Sequence, residues 1–373
     1  MYLCKKIILF DKKFIPKKIN TSNLKKGSIT FKAPSNIALV KYWGKEAIQV
    51  PKNPSISFTL DACFTITTLT FELKSTKSDT FDFDVFFEDK KEESFKPKIT
   101  TFFNRIEQYL PFLKEYKFVI KTRNSFPHSS GIASSASGMA ALSLCLMQME
   151  KELSTNLSQV YFNKKASFLA RLGSGSACRS INGKVVVWGK HVVIDSSSNY
   201  MGIEFPYPIH KNFKNYHDTI LLVDKGQKQV SSTVGHNLMN NHPFAESRFK
   251  QANENLDKMS VILQNGNLKQ FIELVESEAL TLHAMMMTST PYFILMKSNT
   301  LKIIEKIWAF RKQTNATICF TLDAGANVHV LYPENEKEQI NNFIVNELIE
   351  HCQNNQYICD RIGSGAKLIA TQK

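Results

Sequence analysis

The sequence predicts an α+β fold. Segments in which apolar residues alternate, as on half-buried strands, are mixed with stretches of helical periodicity. The two kinds do not keep the strict strand–helix–strand rhythm of a doubly wound sheet. With 373 residues, the chain has the length of about two domains.

Residues 1–27 form a basic leader with weak patterning. Strand character begins at 28–32 and returns over 57–73, where Thr alternates with Phe and Ile. Residues 80–88 alternate again, and 89–98 read as a charged connection. A helix is expected over 100–113 and a strand over 116–122. A Ser/Gly-rich loop follows, then helices over 133–151 and 157–172. A second Gly/Ser loop, 173–183, leads into a strand over 184–188. Beyond a polar stretch at 195–199 the pattern changes. A strand at 217–223 precedes helices near 243–264, 267–287 and 297–312. Short strands at 316–322 and 328–332, a helix over 335–350 and a Gly/Ser turn at 361–365 complete the reading. A boundary is expected near residue 200.

The net charge is +14, with 40 Lys and 7 Arg, and nine of the lysines fall within residues 1–32. Such a balance suits polyanionic small substrates, a nucleic acid, or a solvated basic surface without a partner. No run approaches the roughly 20 apolar residues of a membrane span. The apolar run Ile7 to Phe10 is too short for a secretory signal core. Seven widely spaced cysteines, with no Cys-x-x-Cys, argue against a disulfide framework or zinc site and for a reducing, cytoplasmic setting.

Five segments have the residue types of a reactive site. Pro127-His-Ser-Ser-Gly-Ile-Ala-Ser-Ser-Ala-Ser-Gly138 lies between an expected strand and an expected helix. Its small residues let backbone approach a ligand, and N–H groups at a helix start favour phosphate oxygens. It lacks the Gly-Lys-Ser/Thr of a Walker loop; the competing reading is a Ser/Ala helix packed on a sheet. Gly173-Ser-Gly-Ser-Ala-Cys-Arg-Ser180 places Arg179 among small residues, suited to wrapping an anion, or forms a flexible turn. Ala33-Pro-Ser-Asn-Ile-Ala-Leu-Val-Lys-Tyr-Trp-Gly-Lys45 sets Lys41 and Lys45 beside Tyr42 and Trp43; on composition alone it reads as an edge strand with exposed lysines. In Thr321-Leu-Asp-Ala-Gly-Ala-Asn327, Asp323 ends an apolar strand, either reaching a cleft or capping the turn. Val230-Ser-Ser-Thr233 is an anion nest or an ordinary loop.

Together these segments resemble the diphosphomevalonate decarboxylase family. The Ala33–Lys45 segment is similar to that family's N-terminal signature. Pro127 to Gly138 resembles the phosphate loop of its superfamily, the small-metabolite kinases that include galactokinase, homoserine kinase and mevalonate kinase. Gly-Ser-Gly-Ser-Ala-Cys-Arg-Ser and Asp-Ala-Gly-x-Asn resemble its catalytic segments. The matches run in family order from about residue 30 to residue 333. Two positions depart from the pattern: Pro-His-Ser-Ser-Gly stands where Pro-Thr-Ala-Ala-Gly is usual, and Ala326 replaces a frequent Pro.

The resemblance implies a two-layer fold with a cleft between two subdomains. After an extension over 1–27, which it leaves without a function, it places an ATP-binding subdomain at 28–200 and a C-terminal subdomain at 201–373. It implies ATP-dependent conversion of mevalonate 5-diphosphate to isopentenyl diphosphate, with ADP, phosphate and CO2. By the carry-over, Asp323 would orient or deprotonate the tertiary hydroxyl, with Lys41 beside it. Arg179 would hold the carboxylate or the transferring phosphate. Ser134 would contact the nucleotide phosphates or magnesium, with Gly131 and Ser135 in the same loop. Ser174 and Ser176 would line the substrate side, and Tyr42, Lys45, Ser231 and Ser232 would bind the diphosphate. Magnesium would arrive with ATP, held mainly by phosphates and waters. The resemblance also implies a homodimer, with neither nucleic acid nor membrane as partner. The nearest rival is a sister kinase that stops at phosphorylated mevalonate; such enzymes tend to lack the Asp–Lys–Arg set. A rival of another class is a nucleotide- or nucleic-acid-binding protein without catalysis.

Overall fold

A computed structural model describes residues 12–16, 19–46, 48–76, 78–127, 132–154, 157–226 and 232–372. In chain order the main elements are β1 (Lys26–Val40), β2 (Ser55–Leu73), β3 (Asp82–Phe87), α1 (Lys96–Ile106), β4 (Tyr116–Asn124), α2 (Ser134–Leu153), α3 (Gln159–Gly173) and β5 (Val185–Trp188). There follow β6 (His217–Leu221), α4 (Ala245–Asn265), α5 (Leu268–Met287), α6 (Ser298–Thr314), β7 (Cys319–Thr321), β8 (Val328–Tyr332), α7 (Lys337–Phe343), β9 (Tyr357–Arg361) and β10 (Lys367–Gln372). The fold is α+β, as the sequence predicts.

The larger sheet runs β10-β1-β2-β4-β3, with β5 paired to the start of β2. Its spine is the antiparallel pair β1–β2, in register from Lys26↔Glu72 to Val40↔Ile56. Shifts at Pro34/Asn36 and Ala38/Val40 bend the pair. In β2, residues 55–60 are buried throughout, whereas beyond Asp61 burial alternates. The first half is covered on both faces and the second on one, so only the second shows the two-residue period. α1, α2 and α3 pack on this sheet around Phe71, Phe103, Phe118, Leu142 and Phe168. The smaller sheet, β7-β8-β6-β9, is antiparallel throughout. α5 buries Phe271, Val275, Ala279, Leu282 and Met286, a stripe at helical spacing.

Some expectations need correction. β1 continues through 33–40, where burial on both faces leaves no alternation to read. The helix expected over 100–113 ends at Ile106, and Pro111 opens a separate 3-10 turn. The helix expected over 335–350 is regular only to Phe343 and then widens into a π turn over Ile344–Leu348. The chain does not finish at the Gly/Ser turn: β9 completes the smaller sheet and β10 the larger. Within the basic leader, Phe14 and Leu24 are buried in the first core. The Tyr116 hydroxyl donates to the Thr21 carbonyl at 3.2 Å and to the Leu24 carbonyl at 2.7 Å. The described cysteines are all free thiols, buried except for Cys359.

Candidate active site

Three chain segments far apart in sequence meet in one cavity of about 590 Å³. Lys41 leaves the end of β1, just past the second register shift. Asp323 stands on the turn from β7 to β8. Arg179 lies on the 3-10 turn Gly175–Ser180 that follows α3. The Lys41 ammonium donates to Asp323 Oδ1 at 3.1 Å. Lys41 is buried, while the Asp323 side chain is 27% exposed and so open to a ligand. Lys41 is therefore no exposed edge lysine, as composition alone would have it. Its backbone bonds to Glu278 of α5 and Arg248 of α4.

Burial lowers the pKa of the Lys41 ammonium, and the charge and hydrogen bond of Asp323 oppose that shift. Arg179 is also buried. Its Nε donates to Asn36 Oδ1 at 3.2 Å and its Nη1 to Ser55 Oγ at 2.6 Å. Those two bonds fix the plane of the guanidinium, which carries five N–H donors in all. The backbone carbonyl of Asp323 faces His283 Nε2 at 3.1 Å. Burial brings the His283 pKa down to about 4, so the ring is neutral at physiological pH. A carbonyl only accepts, which puts the ring proton on Nε2.

The aromatic wall is a cluster of edge-on and tilted rings. Tyr42 lies 4.6 Å from Trp188 and 4.2 Å from His236, and Trp43 lies 4.6 Å from His236. The His236 ring accepts from the Gly44 N–H through Nδ1 at 3.0 Å. The Tyr42 hydroxyl is buried with no hydrogen-bond partner among the described residues. Burial raises its pKa above the ordinary phenol value, so it is a neutral donor facing the cavity.

Lys45, Lys98, Ser134, Ser135, Ser174 and Ser176 line the same cavity. Ala133 takes a left-handed conformation, φ 47°, ahead of α2, and no side chain caps that helix start. Lys98 Nζ donates to the Ser135 hydroxyl, which lies 3.4 Å from that of Ser174. Burial lowers the pKa of both Lys98 and Lys45, reinforced by Lys45 beside Lys98 and by Arg105 beside Lys45. The lining also includes the apolar Val85, Phe87, Phe95, Ile99 and Ile120. The cavity thus combines the Lys41–Asp323–Arg179 charges, a part rich in Lys and Ser, and an apolar part. Molecules carrying phosphates together with an acidic or a flat apolar group suit that combination. Among the described residues no cluster of three or more His, Cys, Asp or Glu can hold a metal ion. A serine hydroxyl can add one oxygen ligand to a hard cation that enters with phosphates, while the ammonium groups meet the phosphates themselves.

Nine of the sequence-derived candidates line this cavity: Lys41, Tyr42, Lys45, Ser134, Ser135, Ser174, Ser176, Arg179 and Asp323. Gly131 and Ser231 lie outside the described residues, as does the side chain of Ser232, whose backbone opens the short helix Ser232–Asn237. His128 of the phosphate loop also lies outside them. Sequence reasoning missed Lys98, His236 and His283. His236 stands three residues beyond Thr233 of the Ser-Ser-Thr segment; the other two sit singly on helices without a motif.

Residues 33–199 match the family model for the diphosphomevalonate decarboxylase-like N-terminal domain. Residues 219–369 match that for the mevalonate 5-diphosphate decarboxylase C-terminal domain. A diphosphomevalonate decarboxylase of Debaryomyces hansenii is 31% identical over 322 residues, covering 82% of this chain and 79% of the relative. The crystal structure of mevalonate diphosphate decarboxylase from Staphylococcus aureus superposes with a TM-score of 0.78 at 28% identity, over 92% of this chain and 98% of that one. A complex of MDDEF with MVAPP, AMPPCP and magnesium also gives a TM-score of 0.78 at 28% identity, over 92% and 99%. No helix among the described residues is long and apolar enough to cross a membrane. The chain belongs to the diphosphomevalonate decarboxylase family.

Proposed function

We infer that this chain decarboxylates mevalonate 5-diphosphate at the expense of ATP, releasing isopentenyl diphosphate, ADP, phosphate and CO2. The observation that carries the reading is the Lys41–Asp323 pair at 3.1 Å, facing the same cavity as Arg179. A sister kinase has less use for all three.

The chemistry explains the need. A tertiary hydroxyl is a poor leaving group, and phosphorylation makes it a good one. Loss of phosphate builds positive charge on the tertiary carbon, and the neighbouring carboxylate then departs as CO2, leaving the alkene. Asp323 accepts a hydrogen bond from the hydroxyl, aims it at the γ-phosphorus and takes its proton. Lys41 pairs with Asp323 and offsets phosphate charge. Arg179 holds the substrate carboxylate or the transferring phosphoryl group with the donors not used on Asn36 and Ser55. Tyr42, Lys45, Ser174 and Ser176 bind the substrate diphosphate side, with Ser231 and Ser232 from the neighbouring loop. Ser134 and Ser135, with Gly131, meet the nucleotide phosphates at the start of α2. Ser134 would lend its hydroxyl to magnesium, which neutralises phosphate charge when bound. The apolar end takes the nucleobase.

The +14 charge fits two polyanionic substrates. The division at residue 200, a homodimer and a cytoplasmic location belong to the same proposal; sedimentation and cell fractionation test the last two. The direct test of function is ADP and CO2 measured together, with mevalonate carrying zero, one or two phosphates at O5. The reading predicts equal amounts of both products from the diphosphate alone. ADP without CO2 would make the chain a kinase.

A further inference from the structure

Glu278 and Arg248 lie outside the cavity lining and have no part in the chemistry just described. Glu278 sits in the middle of α5 and is fully buried; Arg248, in the first turn of α4, is 2% exposed. They form a two-pronged pair: Nη1 to Oε1 at 2.9 Å and Nη2 to Oε2 at 2.5 Å. Asn255 adds a third donor to Glu278 Oε1 at 2.6 Å. The pair grips one residue of another segment on both sides. Glu278 Oε2 accepts from the Lys41 N–H at 2.8 Å, and Arg248 Nη2 donates to the Lys41 carbonyl at 3.2 Å. Asn53 Nδ2 donates to that same carbonyl at 2.9 Å.

Resting on the function proposed above, we infer that Glu278 and Arg248 are positioning residues for the reaction, holding the Lys41 backbone so that its ammonium meets Asp323. Lys41 has passed the end of β1, where no strand partner fixes its peptide groups. A lysine side chain has four rotatable bonds and would not hold one position without such an anchor. A buried ion pair adds little net stability over apolar residues of the same volume. Stability alone therefore gives this one little reason to exist; the geometry it imposes on Lys41 does.

The same carboxylate also acts on the Lys41 charge. The ionisable groups facing Lys41 are Asp323 from the β7–β8 turn, Glu278 and His283 from α5, Arg248 from α4, Arg179 from the 3-10 turn and Asp218 from β6. Asp323 and Glu278 favour the charged ammonium, whereas burial and Arg179 oppose it. Loss of the Glu278 charge would let Lys41 release its proton at lower pH.

The test is steady-state kinetics of Glu278→Gln across pH, beside wild-type enzyme that shows coupled ADP and CO2 release. An inactive wild type would refute the proposed function itself, separately from this inference. For the variant, kcat should fall by about ten- to a hundredfold, with both KM values within about threefold. The alkaline limb of its kcat profile should move to lower pH. A folded variant with wild-type kcat and an unmoved limb overturns the inference. If Glu278→Gln does not fold, the double variant Arg248→Met/Glu278→Leu decides, since it leaves no unpaired charge. It leaves the buried Lys41 N–H and Asn255 amide without their acceptor, so it should melt below wild type yet fold, and lose kcat to a similar extent; wild-type kcat overturns the inference, and so does failure of both variants to fold.

Discussion

Two ends of the cavity are built differently. At the Lys41–Asp323–Arg179 end, every charged group is held by further side chains. Arg179 is fixed by Asn36 and Ser55, the Lys41 backbone by Glu278, Arg248 and Asn53, and the Asp323 carbonyl faces His283. At the Ser134–Ser135 end, the helix start has no side-chain cap, and the contact to Ser135 comes from the long, flexible Lys98. Under the proposed function, the first end is organised before substrate arrives, which would aim its groups where charge develops in the transition state. The second offers donors that ligand phosphates complete. Loss of a group at the first should therefore lower kcat, and loss at the second should fall mainly on ATP binding.

The largest effect expected is at the organised end. Asp323→Asn keeps the shape and removes the basicity, so turnover should drop by about a thousandfold or more. Next is Arg179→Lys, which keeps the charge and loses the planar fork held by Asn36 and Ser55. Its kcat/KM should fall by roughly tenfold to a thousandfold, about 1.4–4 kcal/mol of transition-state stabilisation. Full activity would make Arg179 a packing residue. Ser134→Ala should raise KM for ATP about tenfold or more, with a smaller change in kcat. A kcat loss matching that of Arg179→Lys would erase the contrast between the two ends. The smallest effect on catalysis is expected for Phe14→Ala. Phe14 packs 4.9 Å from the Phe168 ring and is 1% exposed. Its removal should cost about 3–5 kcal/mol of stability while leaving kcat of the folded fraction near wild type. Denaturant titration beside the steady-state assay checks both halves of that statement.

The site was legible wherever its residues stand in short, continuous runs of unusual composition. Lys41 lies in Lys-Tyr-Trp-Gly-Lys, Arg179 in Ser-Ala-Cys-Arg-Ser and Asp323 in Asp-Ala-Gly-Ala-Asn, and those runs also identify the family. The supports were not legible. Glu278 and Arg248 fall at helical spacing within the apolar faces of α5 and α4, where a charge is unusual, but the sequence does not show what each one meets. His283 and Lys98 stand singly on their helices, and their partners Asp323 and Ser135 are distant in the chain. For the fold, the elements read well where one face meets solvent, as in the second half of β2 and in β4. The stretch 33–40 is covered on both faces and shows no period. β9 and β10 were missed for another reason. β10 is an exposed edge strand built on Lys367, Thr371 and Gln372, with little apolar alternation to mark it.

The central claim is that Asp323 acts in phosphoryl transfer, ahead of carbon–carbon cleavage. The measurement that tests it most directly is ADP and CO2 quantified in the same reaction, with Asp323→Asn, ATP and mevalonate 5-diphosphate. The account predicts that both products fall together, by about a thousandfold or more, while the substrate still binds. ADP formed at the wild-type rate without CO2, or both products formed at the wild-type rate, would contradict it.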